Sequence, residues 1–238
     1  MNLSLLHLCD SLFPIGAFAY SDGLESAADT GVRLVSDPCQ TGVRLVSDWC
    51  LTPVRDAEGL RYWLDAVLDE SIGRLEGPAV WLAWLAVVDH DWRALASLDE
   101  ELTAIRPASA SRAASRSTGH RLLTTWRALH PDDRLSHLPA PCSLPIAFAA
   151  ACACAGIDRR ESVEAYAYTR LACTVSAAMR LLPLGQTEAH AELARALERV
   201  PPVVEAMTMR SNSIESFSPA LDVAAMTQQY LHSRLFRS

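Results

Sequence analysis

From Arg55 to Arg199 apolar side chains recur three and four residues apart, and this spacing confines the chain to helices. Within Ala57–Ser71 the stripe is Leu60, Trp63, Leu64, Val67 and Leu68. Gly77 and Pro78 break the pattern, and proline suits the first turn of the next helix, Ala79–Val88. That segment is apolar nearly all round and belongs at the centre of the molecule. Asp91 caps a helix reaching about Ile105, with Leu95, Leu98 and Leu102 inward. Beyond Pro107, the long helix Ser109–His130 carries Thr118-Gly119, which costs helix stability and admits a close neighbour. Leu144–Ala155 follows, then a helix from Asp158 or Arg159 through Glu161–Leu182. After the turn Pro183–Gln186, Thr187 caps Glu188–Arg199; Val203–Met209 and Ala220–Phe236 complete the set, Pro219 opening the last. No alternating strand pattern occurs. The expectation is an all-α, single-domain bundle of roughly eight to ten helices.

The least generic stretch is Ser11–Glu25. Pro14 fixes its own φ and pushes Phe13 toward an extended conformation. Gly16 permits a turn or a backbone approach that a Cβ would block. Phe13, Phe18 and Tyr20 surround it, and Ser21 is placed to cap a helix Ser21–Ala28 whose apolar face begins at Leu24. These features describe a buried, specifically shaped loop, and a core-facing turn without direct function is the alternative. Next, Thr30–Asp37 and Thr41–Asp48 repeat one octapeptide across Pro38-Cys39-Gln40. Two copies do not make a solenoid, so residues 32–53 are expected to be a loop insertion, which chains tolerate at small entropic cost.

A composition half apolar and 21% charged excludes disorder, and a diffuse net charge of −7 gives no nucleic-acid footprint. The longest apolar runs, Ala79–Val88 and Leu144–Ile157, are too short to span a bilayer. The first ten residues hold no Lys or Arg and no long apolar run, so no secretory signal is expected. The seven cysteines are odd in number and irregularly spaced, which points to reduced thiols and a cytoplasmic protein.

Candidate chemistry is sparse. His7-x-Cys9-Asp10 offers nickel or zinc ligands, since imidazole and thiolate suit these metals and on a strand His7 and Cys9 would share a face, but no second cluster completes a site. Cys152 and Cys154 point apart on a helix and act as small hydrophobes. Ser11, Ser21 or Ser143 could pair with a histidine, yet no nucleophile elbow is present. His90, His120, His130, His137 and His190 are scattered, and no glycine-rich phosphate loop occurs. Arg112 and Arg116 share a helix face that can bind an anion, a solvated face being the simpler reading. Leu235 and Phe236 in the terminal Arg234–Ser238 are unusual, because a free chain end gains nothing from apolar side chains. Something covers them, either the same chain or another protein.

Four segments in order carry a resemblance: Leu12–Glu25, with Pro-x-Gly-x-Phe and Ser-x-Gly-Leu-Glu; Arg112-x-x-Ser115 followed by Gly119-x-x-Leu122-Leu123; Ala177–Gln186; and Ser233–Ser238. Together they resemble the UreF family of urease accessory proteins over nearly the whole chain. The resemblance implies an all-α, homodimeric, non-enzymatic protein without cofactor or resident metal. It also implies assembly with UreD (also UreH) and the GTPase UreG, whose GTP hydrolysis is modulated during nickel delivery to apo-urease. A direct nickel-binding metallochaperone, using His7, Cys9 and His232, is the alternative. Carried over by position, Pro14, Gly16, Phe18, Tyr20, Ser21, Gly23, Leu24 and Glu25 form the signature loop. Arg180 faces the GTPase, and Arg234, Leu235, Phe236 and Ser238 dock on UreD as part of a flexible tail from about residue 211. No nucleic acid or membrane contact is implied. Gln228-Gln229 stands where the family commonly has His-Glu, and Ala149 where it has Gly.

Overall fold

The computed structural model describes residues 2–11, 13–30, 54–210, 213–232 and 235–236, without the side chains of Phe18 and Thr30. The insertion expected at 32–53 lies outside the described residues. So do Arg234 and Ser238. Ten α-helical segments are described: α1 Leu3–Cys9, α2 Leu24–Thr30, α3 Ala57–Ala66, α4 Gly77–Val88, α5 Trp92–Ile105, α6 Ser109–Leu129, α7 Leu144–Cys154, α8 Arg159–Leu181, α9 Gln186–Thr208 and α10 Pro219–Thr227. No β-strand occurs among the described residues.

The core is built around α7. Its residues from Pro145 to Ala153 are all buried, and it lies against α4, α6 and α8. Alanines at 147, 149, 150, 151 and 153 keep this helix narrow enough for three neighbours. Gly119 of α6 supplies the close approach expected of it. A Cβ there would lie 2.4 Å from the Cys142 carbonyl oxygen and 2.9 Å from the Leu144 nitrogen. Outside this layer α9 packs on α8 and α3, with Arg61, Arg195 and Arg199 paired to Glu192, Asp65 and Asp69.

The expected break at Gly77-Pro78 is absent. The chain runs from α3 through a π-helical segment, Val67–Glu76, directly into α4. Pro78 has no N–H for the Arg74 carbonyl, its partner in an α ladder, and that carbonyl accepts from the Glu215 nitrogen at 2.9 Å. Likewise the two expected helices Glu188–Arg199 and Val203–Met209 are one. Pro201 and Pro202 sit on the exposed face of α9, where packing of the opposite face on α8 holds the helix together. Thr187 is not a cap; Gly185 occupies that position without a side-chain bond. The last helix stops at Thr227 and continues as a 3₁₀ turn, Gln228–Tyr230, short of the expected Phe236.

Candidate functional site

The Ser11–Glu25 loop joins α1 to α2 and is held from three sides. Phe13 is buried, 6.1 Å from the Trp126 ring of α6 and 5.2 Å from His7 of α1, while Pro14 is exposed. Gly16 adopts φ 70°, ψ 24°, and Arg121 of α6 lies directly over it, donating to the Ile15 carbonyl at 3.2 Å. A Cβ on Gly16 would fall 2.2 Å from that guanidinium, so the glycine serves both the left-handed turn and the contact.

The second side is α8. Asp22 pairs with Arg170, and Arg170 donates from Nε to Glu76 at 3.0 Å. Glu76 is 2% exposed and also accepts from Arg106, which follows α5. Burial alone would push the Glu76 carboxyl up, but the charges of Arg170 and Arg106 prevail and hold it down to about 2. Burial opposes the Arg170 charge, and Asp22 and Glu76 outweigh it, raising its pKa above the ordinary value. These groups, with Tyr20 and buried Tyr166, line a cavity of about 30 Å³, room for one water.

The third side is α10 and the chain end. Gly23, at φ 90°, donates its N–H to Gln228 Oε1 at 3.2 Å. The other end of that amide, Nε2, donates to the Ser21 hydroxyl at 3.0 Å and to Glu25 Oε2 at 3.2 Å. Ser26 and Thr227 hydroxyls meet at 2.6 Å. Glu25 Oε1 accepts from the Leu235 backbone N–H, and Oε2 from that of Phe236 at 3.3 Å. Phe236 is buried; Leu235 beside it is 64% exposed. Arg180, exposed in the last turn of α8, places its guanidinium 5.8 Å from the Phe236 ring centroid, within cation–π range.

Several expectations are corrected. Ser21 does not cap α2, which begins at Leu24; its hydroxyl accepts from Gln228 Nε2. Leu3–Cys9 is a helix, on which the His7 and Cys9 side chains diverge. The Cys9 thiol points to the Ala165 carbonyl at 4.0 Å, and burial pushes it up to about 11. A ligand must be a thiolate, so this environment works against metal binding. Among the described residues no three or more His, Cys, Asp or Glu gather as metal ligands. The Arg112/Arg116 face is not simply solvated: Arg116 lies 3.5 Å from buried Asp99, and Arg112 donates to the carbonyls of Arg106 and Pro107.

Sequence reasoning missed Gln228, Arg121, Arg170 and Glu76. One signal was present for Gln228: it continues the face of Leu221, Ala224 and Ala225, all buried, and so had to lie inward.

Burial also raises Cys142 and Cys154 to about 12 and Cys173 to about 11, and lifts Cys152 further. In the native chain at pH 7 these four and Cys9 should react with a thiol reagent at least about tenfold more slowly than after unfolding. Residue-resolved mass spectrometry of alkylated protein, with and without guanidinium, measures this.

A family model described as UreF matches residues 54–197, more than half of the chain. The chain belongs to the UreF family. It is 30% identical to the urease accessory protein UreF of Azoarcus sp. (strain BH72), over 99% of this chain and 95% of that protein. It is 30% identical to the protein of the same name from Cupriavidus pinatubonensis, over 99% and 97%, and 29% identical to that of Azorhizobium caulinodans, over 95% and 90%. The matched 54–197 segment contains Glu76, Arg106, Arg170 and Arg180 of this UreF-family chain; the loop and chain end lie outside it. Among the described residues no helix is long and apolar enough to cross a membrane.

Proposed function

We propose that this chain is a non-catalytic docking scaffold of urease maturation. In this reading it works in the cytoplasm as a homodimer and assembles with UreD (UreH) and UreG. It modulates the UreG GTPase while nickel, the cargo, passes to apo-urease. The relatives' printed name, urease accessory protein, supports the process. The observation that carries the docking role is the two-sidedness of α10 and the 3₁₀ turn that extends it. The inner face is pinned to the signature loop through Gln228 and Thr227. The outer face presents Val223, Met226 and Tyr230, spaced three and four apart, with Tyr230 80% exposed; Phe217 and Leu235 are exposed as well. A short helix fixed on one side and apolar on the other suits a protein partner, which we take to be UreD.

Removing Leu231–Ser238 should leave the helical circular dichroism spectrum unchanged and abolish capture of UreD in a pull-down. Undiminished capture would remove the tail from the docking surface. Size-exclusion chromatography after co-expression with UreD and UreG tests the assembly: a single complex is expected, and separate elution rejects the scaffold.

A further inference from the structure

We propose that the cavity between the signature loop and α8 is a binding site for one water molecule, held by Tyr166, Arg106 and Glu76 as a structural part of the protein. The proposal stands apart from the docking role. The cavity measures about 30 Å³, and Ala17, Tyr20 and Asp22 of the loop form one wall. That is room enough for a buried water, which also needs two to four polar partners. Space alone would not select one, since an apolar cavity stays dry.

Polar atoms make the selection. Tyr166 is 1% exposed and lines the cavity, and its hydroxyl has no hydrogen-bond partner in the protein. Burial first, and then the charge of nearby Glu76, push the Tyr166 pKa up, yet the two groups are not in hydrogen-bond geometry. Arg106 also lines the cavity; its Nη2 donates to Glu76, and its buried Nε–H is left without an acceptor. Leaving such groups unmet in an interior is costly. Glu76 offers the complement, because each carboxylate oxygen takes one arginine and keeps a lone pair. One water accepts from the Arg106 Nε–H and the Tyr166 hydroxyl and donates to Glu76, which satisfies all three groups together. Charge excludes an ion. Asp22 and Glu76 balance Arg106 and Arg170, and an anion would meet the Glu76 carboxylate. The site takes a neutral polar molecule of one heavy atom.

A crystal structure of the full-length chain that resolves ordered solvent tests the site. One oxygen peak is expected within hydrogen-bond distance of both the Tyr166 hydroxyl and Arg106 Nε. A dry cavity would overturn the proposal, and so would a halide found there by anomalous scattering from crystals grown in bromide. Crystals of Tyr166→Phe should lack that peak, and its persistence would reject Tyr166 as a ligand of the water. Urea denaturation gives a second readout, whose sign separates the two states of the hydroxyl. Were it unmet, Tyr166→Phe would remove a buried polar group without a partner, and the midpoint would rise. With a water bound, the same change strips the water of a partner, and the midpoint falls. A lower midpoint is expected; an unchanged or higher one would overturn the site. The wild-type crystal decides the matter even if the variant folds poorly.

Discussion

Glu76→Ala should lower the unfolding free energy by about 3–5 kcal/mol, because it strands Arg106 and Arg170 in the interior. Glu76 is 2% exposed, with Arg106 and Arg170 side chains at 14% and 16%. Removing one member of such a set costs more than the set contributes, since the remaining charges keep their desolvation penalty. Asp22 offsets part of this by its own pair with Arg170, which favours the lower end of the range. An exposed control sets the scale: Glu205→Ala breaks the Arg160–Glu205 pair, 43% and 49% exposed, and should cost far less, because solvent screens both charges. Urea denaturation of both variants measures the difference. The sign of the pH dependence comes from the depressed carboxyl. Folding holds Glu76 near 2 against an ordinary 4.5, so its contribution is complete above about 4.5 and is lost as pH falls toward 2. In the alanine variant that part of the acid limb should flatten.

Gly23→Ala should cost about 2–4 kcal/mol and weaken the proposed docking on UreD, because two penalties meet at one atom. The backbone there is at φ 90°, a conformation unfavourable for any residue with a Cβ. The added carbon would also sit 2.7 Å from the Ala225 nitrogen and 3.0 Å from the Ala224 carbonyl carbon, both α10 backbone that cannot rotate away. Relief requires α10 to retreat, which stretches the Gly23–Gln228 and Ser26–Thr227 contacts and unseats the outer apolar face. Gly156→Ala separates the causes: at φ 68° it carries the strain but meets nothing within 4 Å. It should cost only about 1–2 kcal/mol and leave capture intact. Thermal melts and pull-downs of the two variants distinguish strain from displacement.

The sequence announces most of the helices because their stripes are long and local. Leu60, Trp63 and Leu64 mark α3, and Leu95, Leu98 and Leu102 mark α5, all buried as their spacing requires. Gly119 was readable for the same reason, as one small residue on a buried helix face. The features that escaped reading depend on contacts distant in the chain. Proline at 78 ends a helix unless another segment serves the Arg74 carbonyl, and nothing near Pro78 announces Glu215. Ser21 has the chemistry of a cap, but a buried amide from Gln228 claims it first. Leu235 and Phe236 read alike in sequence. A carboxylate on α2 that holds their backbone sends one ring in and leaves one side chain out.

The π segment between α3 and α4 acts as a phase shifter. A π turn closes its ring over one more residue than an α turn, as Gly77 does by donating to Ile72. One residue of phase is about 100° around the axis. Glu76 ends this segment, so its bearing toward Arg106 and Arg170 depends on a register that ordinary winding would not keep. The hold on Asp22, and through it on the loop, is thus tied to how tightly a distant stretch of backbone is coiled.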